Sequence, residues 1–210
     1  MIISHRHQFI FFAVPKTATH TIREALRPQL GENDWQQQQL FGAEALPIPD
    51  IAKIGHGHIS TRRIRPYLDD AVWASYFKFG FVRNPFDRFV STCFFLHRNN
   101  PQFSQDVTTN MKQALKNRSF RERVLVRPQA LQLTDGDGQL QLDFAGRYES
   151  LQSDYDEICR RIGIPATSLA HKNVSRHGAA ADYYDEELRS AVTDFYRSDL
   201  ELFDYRFPDC

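Results

Sequence analysis

A continuous apolar run, Phe9-Ile10-Phe11-Phe12-Ala13-Val14, ends at Pro15-Lys16 and passes into Thr17-Ala18-Thr19-His20-Thr21. Behind this stretch Ile22, Ala25 and Leu26 recur at helical spacing. The run is too short for a buried helix and does not alternate, so it reads as a strand covered on both faces. A buried strand, a tight turn and a helix start restrict the chain to folds in which strands and helices alternate. Such a turn aims several backbone N–H groups, the Lys16 ammonium and up to three hydroxyls at one point, and that combination binds an anion, most often a phosphate. An ordinary strand-to-helix turn with a solvated lysine carries the same local pattern, so the decision rests on the remaining sequence.

A second unit of the same kind follows. Phe77-Lys78-Phe79-Gly80-Phe81-Val82 reads as a buried strand ending in Arg83-Asn84-Pro85, and Phe86 to His97 as a helix with Phe86, Phe89, Val90, Cys93 and Phe94 on its apolar face. Arg83 stands at the strand tip, where a guanidinium can fork onto a phosphate, and Ser91 lies about two turns into the helix. Asp87 and Arg88 are expected to form structural ion pairs. Ala52–His58 is expected to be a short strand opening into a loop and Phe144–Tyr148 a further strand, with helices at Thr19–Arg27, after a Ser60 or Thr61 cap, at Leu151–Ile162 closed by Gly163, and at Tyr183–Leu202. Leu30–Asp50 reads as a polar surface excursion in which Gln36 to Gln39 are solvated. The basic residues between Asn99 and Gln129 form a solvated face or a basic lip for an acidic acceptor. Thr134-Asp135-Gly136-Asp137-Gly138 is a hairpin turn signal, and it lacks the spacing of a calcium loop. The expected fold is α/β: one domain over residues 1–210, with a central, mostly parallel β-sheet flanked by helices. Ligands of such folds sit at strand carboxyl ends, which both loops leave.

Lys plus Arg and Asp plus Glu balance at 26 each, so no global field favours nucleic acid or a membrane surface, and any anion site is local. Cys93, Cys159 and Cys210 have no paired spacing, which fits a reducing compartment and neither zinc nor a disulfide framework. No signal pattern and no run of membrane-spanning length is present, so a cytoplasmic protein is expected. The sequence carries no signal of oligomeric state.

Gly55-His56-Gly57-His58 supplies the one histidine cluster that suits acid–base work. A histidine flanked by glycines is reachable, and nearby Arg62, Arg63 or Arg65 would favour the neutral form that accepts a proton. His58, His56, metal binding and plain surface exposure all remain open on the residues alone. Two histidines without a third ligand make a poor zinc site, and no metal is expected.

Taken in order, these motifs resemble those of the PAPS-dependent sulfotransferases, particularly the carbohydrate-type group. Pro15 to Thr21 looks like that family's 5′-phosphosulfate loop, and Arg83 to Ser91 like its 3′-phosphate motif. Gly146-Arg147-Tyr148-Glu149-Ser150-Leu151 with Asp154, and Tyr184-Asp185 to Phe207, are similar to its C-terminal half, so the resemblance spans roughly residues 9–207. It implies a P-loop-like nucleotide-binding fold and transfer of sulfuryl from PAPS, leaving PAP, to a hydroxyl of a glycan or glycoconjugate. Lys16, Thr17, Ala18, Thr19, His20, Thr21, Arg83, Ser91 and Lys172 would then hold the nucleotide, with Lys16 on the bridging oxygen. Gly55 to Ser60 resembles the His-Gly-His segment of heparan sulfate 2-O-sulfotransferases, which implies His58 as base, with His56 the alternative. The family commonly has glycines in the first loop where this chain has Ala18, Thr19 and His20, and left-handed backbone costs more without glycine. Two other readings stand beside this one: a PAP- or nucleotide-binding protein without activity, and a phosphate-transferring P-loop enzyme. The latter needs Gly-x-x-x-x-Gly-Lys-Ser/Thr, whereas Lys16 directly follows proline.

Overall fold

The apolar run forms a strand, and the helical pattern behind it a helix, within a computed structural model that describes residues 1–39, 44–169 and 178–208. The chain clusters into two compact units. One is built from Met1–Val82 and the segment beginning at Ala130, the other from Arg83–Gln129 and the C-terminal helices.

The first unit holds a five-stranded sheet in the order β3-β1-β2-β4-β5. The strands are β1 (Ile2–Ser4), β2 (Phe9–Phe12), β3 (Trp35–Gln36), β4 (Phe77–Val82) and β5 (Phe144–Arg147). β2 and β4 pair in parallel, as do β4 and β5, whereas β1 runs antiparallel to both β2 and β3. The sheet is therefore mixed, where a mostly parallel one was expected. The cause is the brevity of the β1–β2 connection: residues 5–8, with Gln8 at φ 52°, can only turn the chain straight back. Helix α1 (Thr19–Leu26) and the Leu151–Ile162 helix cover the sheet. Ile22 and Leu26 pack with Phe9, Phe11, Phe79, Phe81, Tyr155, Ile158 and Ile162 in one apolar cluster. Phe11 and Phe79 stack at 5.3 Å between centroids. Each fully buried phenylalanine contributes about 2 kcal/mol of transfer free energy, so these rings fix the sheet that carries the β2 and β4 tips.

Residues 52–58 are not a strand. Pro49–Ala52 is a helical turn, with proline at a position that needs no N–H donor, and the chain then runs as a loop through the histidines. Ser60 does cap the Thr61–Ile64 helix, its side chain accepting from the Arg63 N–H. Gly163 closes Leu151–Ile162 in the left-handed conformation at φ 70°.

In the second unit the Pro85–Leu96 helix is capped by Asn84, whose side chain accepts from the Phe86 N–H at 3.1 Å. Its Phe86, Phe89, Val90 and Cys93 pack with Met111, Leu115, Leu188, Val192 and Tyr196. The C-terminal helix expected at Tyr183–Leu202 is two, Glu186–Phe195 and Arg197–Leu202. It breaks at Tyr196, whose buried hydroxyl donates to the Val126 carbonyl at 2.6 Å. No helix among the described residues is long and apolar enough to cross a membrane.

Candidate active site

The turn between β2 and α1 is held by its own threonines. Thr17 and Thr19 both donate their hydroxyls to the Val14 carbonyl, at 2.9 and 2.5 Å. Those two hydroxyl protons therefore point into the loop, and what the turn offers an anion is backbone N–H groups and Lys16. Lys16 and Ala18 adopt φ of 65° and 59°, with Ala18 the left-handed N-cap of α1. Left-handed residues on either side of Thr17 bend the chain so that successive N–H groups can converge, and the first N–H groups of α1 have no acceptor inside the helix. His20 is half-buried and Thr21 is buried.

The histidine loop comes to the same place through the Ala13 carbonyl. His58 Nδ1 lies 2.7 Å from that oxygen. A carbonyl only accepts, so Nδ1 carries the proton and Nε2 presents a lone pair. The ring is half-buried, deeper than glycine neighbours led one to expect. Burial, partly opposed by the bond to Ala13 and joined by the positive charges of the Met1 nitrogen, His56 and Arg23, brings its pKa down to about 3. The arginines expected to do this point elsewhere. Arg62 donates to the Leu131 carbonyl, Arg65 to the Leu68 carbonyl and to Asp70, and Arg63 is exposed. The Ala13 oxygen also accepts from Gln132 Nε2 at 3.0 Å, so β2, the histidine loop and the Ala130–Leu133 helix meet on one atom. The His56 ring lies 5.8 Å from that of His58, and its Nδ1 accepts from the His58 N–H at 3.3 Å.

One of the glutamines expected to be solvated holds this loop. Gln37 is buried; its amide donates to the Ile51 and Ile54 carbonyls and accepts from the Leu46 N–H. Gly57 must be glycine. A Cβ there would fall 2.1 Å from the Gln37 carbonyl oxygen and 2.7 Å from Arg23 Nη2, while the Gly57 carbonyl accepts from Met1 N at 2.6 Å.

In the second unit, Arg83 and Ser91 are both buried. The main chain of Arg83 is clamped by the Gln129 amide, which accepts from its N–H at 3.0 Å and donates to its carbonyl at 2.9 Å. Gln129 is fixed in turn by the buried Asp199 carboxylate. Arg88 is structural, and among the described residues it forms no ion pair. Its buried guanidinium donates to the carbonyls of Leu125, Val126 and Arg127 and lies 5.4 Å from the Tyr196 ring centroid. The basic residues of this unit are ion-paired in part: Lys112 reaches Asp185 and Glu187, each at 2.6 Å, and Arg118 reaches Glu122 at 2.8 Å. Lys172 lies outside the described residues. Among the described residues, no group of three or more His, Cys, Asp or Glu is placed to hold a metal ion.

A family model described as the sulfotransferase family matches residues 1–206. The chain belongs to the sulfotransferase family. No curated protein and no solved structure matches it. Membership in the sulfotransferase family carries sulfuryl transfer as the general activity, with an acceptor as second substrate. Within that frame the structure joins the Lys16 loop and His58 through Ala13. Nothing in the residue pattern marks the Ala13 carbonyl, Gln132, Gln37 or Arg23 as members of the site; a pairing of glycine-flanked histidines with an arginine in the helix behind the anion loop is the one signal that points to them.

Proposed function

We propose that this sulfotransferase moves a sulfuryl group from PAPS to a hydroxyl on a carbohydrate, with His58 as general base and Lys16 on the leaving oxygen. The observation that carries the assignment is the Nδ1–H of His58 on the Ala13 carbonyl. It leaves Nε2 as the proton acceptor, on a residue tied to the strand end from which the Lys16 loop departs. A histidine kept neutral down to low pH has its Nε2 lone pair free at physiological pH, while a pKa of about 3 makes it a weak base in the free protein.

In the reaction the acceptor hydroxyl gives its proton to His58 Nε2 as its oxygen bonds to sulfur in line with the leaving group. The bond from sulfur to the bridging oxygen breaks, and the electron pair goes to the 5′-phosphate of PAP, where the Lys16 ammonium and the N–H groups of the loop oppose the new charge. Arg83 and Ser91 are assigned to the 3′-phosphate by their motif. Thr17, Ala18, Thr19, His20 and Thr21 are assigned to the 5′ end, the first four chiefly through main-chain N–H groups. The sparse cysteines, with Cys93 and Cys159 free, support a cytoplasmic setting.

Turnover of labelled PAPS over a panel of glycans and small alcohols tests the reading. His58→Ala is expected to lower kcat at least 100-fold, with PAP affinity by calorimetry changed less than about threefold, and Lys16→Ala to lower both. Turnover intact in both variants would remove the assigned roles, and tight ATP–magnesium binding without PAP binding would remove the donor. The left-handed Lys16 and Ala18 favour one second reading, a nucleotide-binding protein without activity. PAP binding with no turnover on any acceptor would select it.

A further inference from the structure

We propose that Arg23 is a positioning residue for His58: its guanidinium braces the Gln37 carbonyl beneath Gly57 and so keeps the imidazole seated on Ala13. This rests on the reading of His58 as the base. Arg23 lies on α1, directly behind the Lys16 loop, and only 5% of its surface is exposed. Its Nη2 donates to the Gln37 carbonyl at 2.8 Å. The Gly57 α-carbon closes over that pair so tightly that a methyl group would overlap both partners. The peptide linking the two histidines therefore rests on an arginine–carbonyl bond supplied by the anion-loop helix.

Packing alone does not explain an arginine here. Burial lowers its pKa to about 10, so it remains a cation at neutral pH, and Glu44 acts on it through charge without a hydrogen bond. Nη1 is buried with no hydrogen-bond partner. A buried cation with one carbonyl and an unsatisfied donor costs stability, and a methionine would fill the same space more favourably. What the cation supplies is a brace and a positive charge beside His58 that disfavours the imidazolium. The charged and titratable groups around His58 are Arg23 from α1, His56 from its own loop and the Met1 nitrogen at the start of β1, with Glu44 facing Arg23.

The test uses the full chain with 15N-labelled histidine and two substitutions, Arg23→Met and Arg23→Lys, the His58 signal being assigned by its loss in His58→Gln. Wild type is expected to show His58 in the Nδ1–H tautomer. Arg23→Met should lose that signature, raise the His58 titration midpoint by about one unit, and lower kcat at least tenfold while KM for PAPS changes less than threefold. Arg23→Lys keeps the charge and one donor and should restore tautomer and midpoint. Retention of the Nδ1–H tautomer and midpoint in Arg23→Met overturns the proposal. If that variant does not fold, Gly57→Ala, which displaces the same pair from the other side, must lose the tautomer, and its retention there overturns the proposal equally. A tautomer that shifts as expected in a chain that transfers no sulfuryl supports the positioning role and removes the sulfotransferase assignment of the site.

Discussion

Ala18→Gly should stabilise this protein, against the rule that glycine weakens a helix. Ala18 is the N-cap of α1 at φ 59°, ψ 24°. An alanine held in the left-handed region costs about 1–2 kcal/mol, which glycine does not incur. Against this, glycine gives the unfolded chain extra freedom worth about 0.4–1 kcal/mol, and loss of the half-buried methyl subtracts about 0.4 kcal/mol. The balance is a gain of about 0.5 kcal/mol, in the direction of the N-cap preference for glycine over alanine. For a chain of this size that is a rise in Tm of about 1–2 °C, readable by differential scanning calorimetry. Ala25→Gly, in the body of the same helix, is the control. It should lose about 1 kcal/mol, a fall of about 2–4 °C. If Ala18→Gly fell alongside the control, Ala18 would be an ordinary helical residue and the left-handed turn behind the Lys16 loop would be wrong.

Gln129→Leu should cost about 3 kcal/mol in urea unfolding, because it removes three buried bonds, two to the Arg83 main chain and one to the Asp199 carboxylate, which keeps the Gln129 N–H. The depressed His58 pKa makes stability pH-dependent: its contribution is whole above the unfolded pKa of about 6.5 and is lost as pH falls toward about 3. Urea titrations across that window should show extra proton uptake on unfolding that disappears in His58→Gln. Burial raises the Cys93 and Cys159 thiol pKa values, so iodoacetamide at pH 8 should leave both unmodified in the native protein and label both in urea, as read by mass spectrometry.

The elements that could be read in advance are those whose signal is local and repeated. β4 occurs at its expected bounds because aromatic and aliphatic residues dominate Phe77–Val82, Lys78 and Gly80 apart, and Pro85 then forces a new start. The Leu151–Ile162 helix likewise carries its own stop, the left-handed Gly163. β1 escaped because three residues give no period, and its pairing with β2 and β3 is what makes the sheet mixed. The brief alternation of Ala52 and Ile54 suggests a short strand, whereas Ala52 ends a helical turn and the chain beyond it is the expected loop. Lys16 and His58 were visible through their chemistry, but the groups that orient His58 were not. Arg62, Arg63 and Arg65 are its neighbours in sequence, whereas Arg23 is its neighbour in space. Gln37 could not be told from the glutamines beside it because all three partners of its side chain are main-chain groups with no side-chain signature.

The acceptor that sets the His58 tautomer is a peptide oxygen, and every amino acid brings the same one to position 13. No single codon change there can delete the bond; it can only alter how much room the residue takes at the end of β2, where Ala13 is wholly buried. Inherited variation therefore reaches the aim of the imidazole only indirectly, by moving the strand or by altering the groups around the bond, Arg23, Gly57 and Gln132 among them. The orientation of the histidine is written into the backbone trace, out of reach of side-chain exchange at its anchor.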